Sequence, residues 1–322
     1  MSSYSDSPIL KLERLSNVKP HPVKKHYVSS EDDGHQICVF EKGETTSKYS
    51  VILLHGRTWS SLPVFDLIFD STPRLNRASE EINLSTMDML VSNGVHVIAI
   101  DLRGFGGTSR DQSGWISPHR AVLDINSVVN WLRREKNISN PAILGWSQGG
   151  LIAQLYAQRY PETISAIILY ASIYDPKTIY QRNPLYVKAP TPLLKTNTMD
   201  QAIEDFTLPG SISDEAAYAF GESALTHNPV KVDWGNLHEF NEINPAKIVT
   251  PCLVVHGDND PYLTKESQIY LFQAVSSSDK VYAIIPGADH CAHLIGTRFL
   301  FIHHIVSFLK RPLENVFLQN QI

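Results

Sequence analysis

Three things are scarce in this chain of 322 residues: cysteine, long apolar runs and clustered charge of one sign. The three cysteines, Cys38, Cys252 and Cys291, are odd in number and irregular in spacing, which argues against a disulfide framework and suits a reducing compartment. No apolar stretch reaches the roughly 18 residues of a membrane span. The opening Met1-Ser2-Ser3-Tyr4-Ser5-Asp6-Ser7 has neither the basic nor the apolar region of a signal peptide, so no membrane span and a cytoplasmic location are expected. Lys and Arg number 28 against 33 Asp and Glu, a net charge of −5. With no basic run in the chain, neither nucleic acid nor an anionic membrane is an expected partner. His290, His293, His303 and His304 lack acids or cysteines at matching offsets, so no metal and no cofactor are expected.

What the sequence does have is a 43% hydrophobic composition, enough for one buried α/β core with an insertion. Residues 25–28 and 36–40 read as a hairpin joined through the polar turn Glu31-Asp32-Asp33-Gly34-His35. Six apolar runs follow, at 51–55, 95–101, 142–145, 166–170, 252–256 and 281–285, most of them separated by helical segments. That order predicts a doubly wound, mainly parallel sheet of the α/β class with the antiparallel hairpin at one edge. A last helix is expected over about 293–310.

One of these runs ends in Gly145-Trp146-Ser147-Gln148-Gly149-Gly150. A strand turning sharply into a helix strains the residue at the turn, so the positions two residues to either side must be nearly free of side chain. Ser147 then projects its hydroxyl from the carboxyl end of the sheet, with a helix N-terminus behind it that favours developing negative charge. A serine hydroxyl needs a base, and the base needs an orienting group. His290 stands on the loop between the last strand and the last helix, and acids follow the preceding strand in Gly257-Asp258-Asn259-Asp260-Pro261.

The order Ser147, Asp260, His290, each after a strand, resembles the α/β-hydrolase superfamily. Leu53-Leu54-His55-Gly56-Arg57 is similar to its oxyanion turn, and Asp101-Leu102-Arg103-Gly104-Phe105-Gly106-Gly107-Thr108-Ser109 to its glycine-rich turn; the resemblance spans about residues 25 to 310. It implies an α/β-hydrolase fold and a triad of Ser147, His290 and Asp260. Asp175 is the alternative acid, one strand earlier, while Asp258 is expected to accept hydrogen bonds within its own turn. The backbone N–H groups of Gln148 and Arg57 would form the oxyanion hole.

Two connections exceed a simple crossover. In the first, the helix starts at a Ser85 cap, leaving 59–83 as extra material beside the oxyanion turn. The second, after the sixth strand, is read as a mostly helical cap over 174–245. The division is then a lead-in over 1–22, core over 23–173 and 246–322, and the cap between. Aromatic residues are dense in the cap, among them Tyr174, Tyr186 and Phe206. With Trp59 and Trp146, Tyr174 and Phe206 are the expected substrate-binding residues of a largely apolar site. The resemblance implies a serine hydrolase of a small carboxylic ester, thioester or lactone. The alternatives are an acyltransferase, perhydrolase or carbon–carbon hydrolase with the same triad, or a slow-turnover ligand receptor on that scaffold. The oligomeric state is not legible.

Overall fold

The computed structural model describes residues 18–72, 79–182, 192 and 194–312; Tyr186 and most of the lead-in lie outside them. Twelve strands are described: β1 Lys24–Ser29, β2 Gln36–Lys42, β3 Tyr49–Leu54, β4 Ile68–Asp70, β5 Glu81–Asn83, β6 Val95–Ile100, β7 Trp115–Ile116, β8 Ala142–Trp146, β9 Ile167–Tyr170, β10 Asp233–Trp234, β11 Cys252–Gly257 and β12 Lys280–Ile285. The described α-helices are α1 Ser61–Phe65, α2 Thr86–Ser92, α3 Pro118–Glu135, α4 Gln148–Arg159, α5 Met199–Ile203, α6 Asp214–His227, α7 Lys265–Ala274 and α8 Arg298–Leu309.

Eight strands form one sheet in the order β1-β2-β6-β3-β8-β9-β11-β12. The β1–β2 and β2–β6 pairs are antiparallel and every later pair is parallel, which puts the hairpin at the edge. Both faces are covered, as a parallel sheet with crossover helices requires. Alternate residues of β3 show it: Val51 and Leu53 join a core with α2 and α8, whereas Ile52 and Leu54 join one with α3 and α4. The chain runs from β3 to β6 on one side and later to β8 on the other, so the sheet reverses direction around β3. A crevice at the carboxyl ends of strands flanking such a reversal is where open α/β sheets place ligands.

Helix boundaries follow local chemistry. The Ser85 Oγ accepts the Asp88 N–H at 2.9 Å and starts α2 where the sequence predicts it. The last helix begins later than its composition suggests, at Arg298 and not 293. Residues before it are held in turns: Asp289 Oδ1 accepts the Cys291 N–H at 2.9 Å, a local bond that competes with helix. The segment after β9 contains α5, α6, the two-residue strand β10, which pairs with β7, and a short 3₁₀ turn at Leu237–Glu242. It docks through α6 on α1, where Phe220 meets Trp59 edge-on. All three cysteines are buried and unpaired with one another. Among the described residues no helix is long and apolar enough to cross a membrane.

Candidate active site

Ser147 sits between β8 and α4 with φ 57° and ψ −121°. Those angles mirror the first central residue of a type II turn, a conformation normally left to glycine. The neighbouring glycines are required by contact: a Cβ on Gly145 would lie 2.3 Å from the Gly149 carbonyl oxygen, and one on Gly149 would lie 2.5 Å from that of His55. Ser147 occupies the N-cap position of α4 yet makes no capping hydrogen bond. Its hydroxyl is therefore not committed to the helix.

His290 Nδ1 lies 2.7 Å from Asp260 Oδ2. A carboxylate only accepts, so Nδ1 donates and Nε2 is left with its lone pair. Asp260 Oδ1 accepts the Tyr262 N–H at 2.9 Å, which fixes the carboxylate plane. The His290 carbonyl accepts from Trp146 Nε1 at 2.9 Å and from the Tyr170 hydroxyl at 3.1 Å. The base is thus tied to the residue preceding Ser147. Asp175 stays within its own turn, accepting the Lys177 N–H at 2.9 Å, and Asp258 accepts from Gly287 N–H at 2.8 Å.

The turn after β3 is braced by His55. Its Nε2 accepts the Leu102 N–H at 3.1 Å, so Nδ1 donates, to the Gly56 carbonyl at 2.9 Å. Burial holds this imidazole below its usual range and keeps it neutral. The next carbonyl, of Arg57, accepts from Trp234 Nε1 at 3.1 Å. Asp101 ties in the glycine-rich turn, accepting from Ser61 N–H at 2.9 Å and Gly107 N–H at 2.8 Å. Gln148 is buried at the start of α4.

Ser147 and His290 open on one cavity of about 440 Å³, lined also by Gly56, Arg57, Thr58, Trp59, Trp146, Ile173, Asp205 and Tyr262. Its size falls in the range of small-molecule sites. Of the expected substrate-binding aromatics, Tyr174 and Phe206 are not among the residues lining this cavity, whereas the residues preceding them, Ile173 and Asp205, are. Phe206 turns instead onto Phe220, edge to face with centroids 5.2 Å apart, and Tyr174 packs on the core beside α3 and α4. Trp59 and Trp146 do line the cavity.

Ile173, Asp205, Thr58 and Tyr262 are the wall residues that sequence reasoning misses. Burial, the largest influence, pushes the Asp205 carboxyl up to about 6, and the His290 charge and the Trp59 hydrogen bond only partly offset it. Only Tyr262 carried a sequence signal, its place two residues after Asp260.

Comparison with known proteins agrees with this architecture. A thermophilic esterase from Thermogutta terrifontis superposes with a TM-score of 0.64 at 17% identity, covering 89% of this chain and 98% of that one, a likeness of fold. The human monoacylglycerol lipase ABHD6 is 28% identical over 143 residues, covering 44% of this chain. This match spans only 35% of that relative's length. A monoglyceride lipase of Saccharomyces cerevisiae is 28% identical over 250 residues, covering 69% of this chain and 76% of the lipase. Residues 74–294, more than half of the chain, match the family described as serine aminopeptidase, S33. The chain belongs to that family of α/β hydrolases.

Proposed function

We propose that this protein is a serine hydrolase cleaving carboxylic esters of small, largely apolar acids through an acyl-enzyme. The observation that carries the reading is the His290–Asp260 contact of 2.7 Å opening on the same cavity as Ser147, itself held in a strained turn at a helix N-terminus. In the reaction His290 Nε2 takes the Ser147 proton as Oγ attacks the ester carbonyl, and Asp260 stabilises the imidazolium. The N–H groups of Gln148 and Arg57 receive the oxyanion; the dipole of α4 and the bracing of the turn after β3 support those roles. His290 then gives its proton to the leaving alcohol. Water, deprotonated by His290, releases the acid and restores Ser147.

The described residues of 174–245 act as a cap, since they contribute Asp205 to the wall of the cavity that holds the serine. Ester cleavage is favoured by the monoacylglycerol and monoglyceride lipases among the relatives. The test is fluorophosphonate labelling of wild type and Ser147→Ala, with turnover of p-nitrophenyl esters of increasing chain length. The expected result is labelling and turnover in the wild type only, with turnover in the variant down by about 10⁴-fold or more. A folded wild type that neither labels nor turns over refutes the reading.

A further inference from the structure

We infer that Asp205 sets the substrate class of this site by accepting a hydrogen bond from a hydroxyl of the leaving alcohol, which makes esters of a neutral polyol the preferred substrates. The inference rests on the ester-hydrolase reading above and deepens it.

Asp205 is a carboxylate with no part in the triad, set in a wall where Trp59, Trp146, Tyr262 and Ile173 stand beside it. Its Oδ2 accepts from Trp59 Nε1 at 3.0 Å, and Oδ1 has no hydrogen bond among the described residues. That oxygen belongs to a cavity-lining carboxylate and is open to a donor from a ligand in the cavity.

Its position is fixed relative to the base. The Thr207 and Leu208 N–H groups donate to Asp289 Oδ2 at 3.0 and 3.3 Å, and the Cys291 thiol donates to the Asp205 carbonyl at 3.4 Å. Asp289 and Cys291 flank His290, so the loop that carries the base also holds Asp205. His290 hands its proton to the departing alkoxide, so the alcohol must lie against His290 as it leaves. The group beside that base therefore reads the alcohol and not the acyl chain.

Charge selects a neutral donor. His290 shares the cavity and becomes cationic during the reaction. An ammonium group drawn to Asp205 would be opposed by that charge, and a carboxylate or phosphate would be opposed by Asp205. A hydroxyl avoids either conflict and supplies the proton that Oδ1 lacks.

The test uses the full chain and compares kcat/KM for the glycerol monoester and the methyl ester of one medium-chain acid, from pH 5 to 8, in wild type and Asp205→Asn. Titration of the triad is common to both esters and cancels in the ratio. The wild type is expected to favour the glycerol ester, with the preference falling as pH drops through about 6 and Asp205 becomes protonated. In Asp205→Asn the ratio should fall by about 10- to 100-fold and lose that pH dependence, as expected for a hydrogen bond to a charged acceptor. Fluorophosphonate labelling of the variant confirms that it is folded. A ratio unchanged by the substitution overturns this inference alone. Wild-type cleavage of unblocked aminoacyl arylamides, lost in Asp205→Asn, also overturns it and assigns Asp205 to an ammonium group. A wild type inert toward both esters overturns the ester-hydrolase reading and this inference with it.

Discussion

Replacing Ser147 with glycine should make the protein more stable than replacing it with alanine, although both variants lack the nucleophile. At φ 57° and ψ −121° a residue with a Cβ is strained, at a typical cost of about 1–3 kcal/mol. Glycine removes that cost but brings greater freedom to the unfolded chain, worth about 0.5–1 kcal/mol against it. The balance favours glycine by up to about 2.5 kcal/mol. Two other terms are small: the Ser147 side chain makes no capping bond to lose, and its Cβ borders the cavity. The pair Ser147→Gly and Ser147→Ala therefore isolates the strain. Urea unfolding should give a higher midpoint for glycine with the same slope, and thermal melting a Tm higher by a few degrees. If alanine exceeds glycine, the turn stores no appreciable strain at 147 and the account of Ser147 as a strained residue is refuted.

Two further outcomes can be checked. Asp205 binds its proton more tightly in the folded protein than in the unfolded chain, where the carboxyl sits near 3.8, so stability should fall as pH rises from about 4 through 6. Asp205→Asn removes that loss: chemical denaturation should find it more stable than wild type by up to about 3 kcal/mol at pH 8 and nearly equal at pH 4, and equal differences at both would refute the buried-carboxylate argument. Asp289→Ala should free the Thr207, Leu208 and Cys291 amides together, raising their hydrogen exchange by about 10- to 100-fold, while an effect confined to Cys291 would mean that Asp289 does not hold the 205–208 segment.

Much of the sheet was legible because its strands are buried on both faces and therefore read as continuous apolar runs. The edge hairpin was legible because a polar turn with glycine separates its halves. Ser147, Asp260 and His290 could be singled out for one reason: each stands just past the carboxyl end of such a run, and a parallel sheet gathers those ends. Asp205 could not. Its place depends on Trp59, 146 residues away, and on a loop beyond β12, so no local pattern announces it. Nor could the placing of the Tyr174 and Phe206 rings away from the cavity wall be read, since aromatic density shows that a segment packs but not which way each ring turns. The late start of α8 was hidden because Asp289 holds the Cys291 N–H in a segment whose composition suits a helix.

The buried cysteines give the molecule three internal reporters of breathing. Cys38 lies in β2, Cys252 opens β11, and Cys291 follows the histidine of the candidate site; each is fully enclosed. Burial pushes the Cys38 and Cys252 thiols up to about 12 and holds Cys291 well above its usual range, where nearby carboxylates add to the effect. Held as thiols behind closed walls, they are poor targets for alkylating reagents until the surrounding structure opens. The order in which they react would then map which part of the fold opens first: the hairpin side of the sheet, its β11–β12 side, or the loop that joins the base to Asp205.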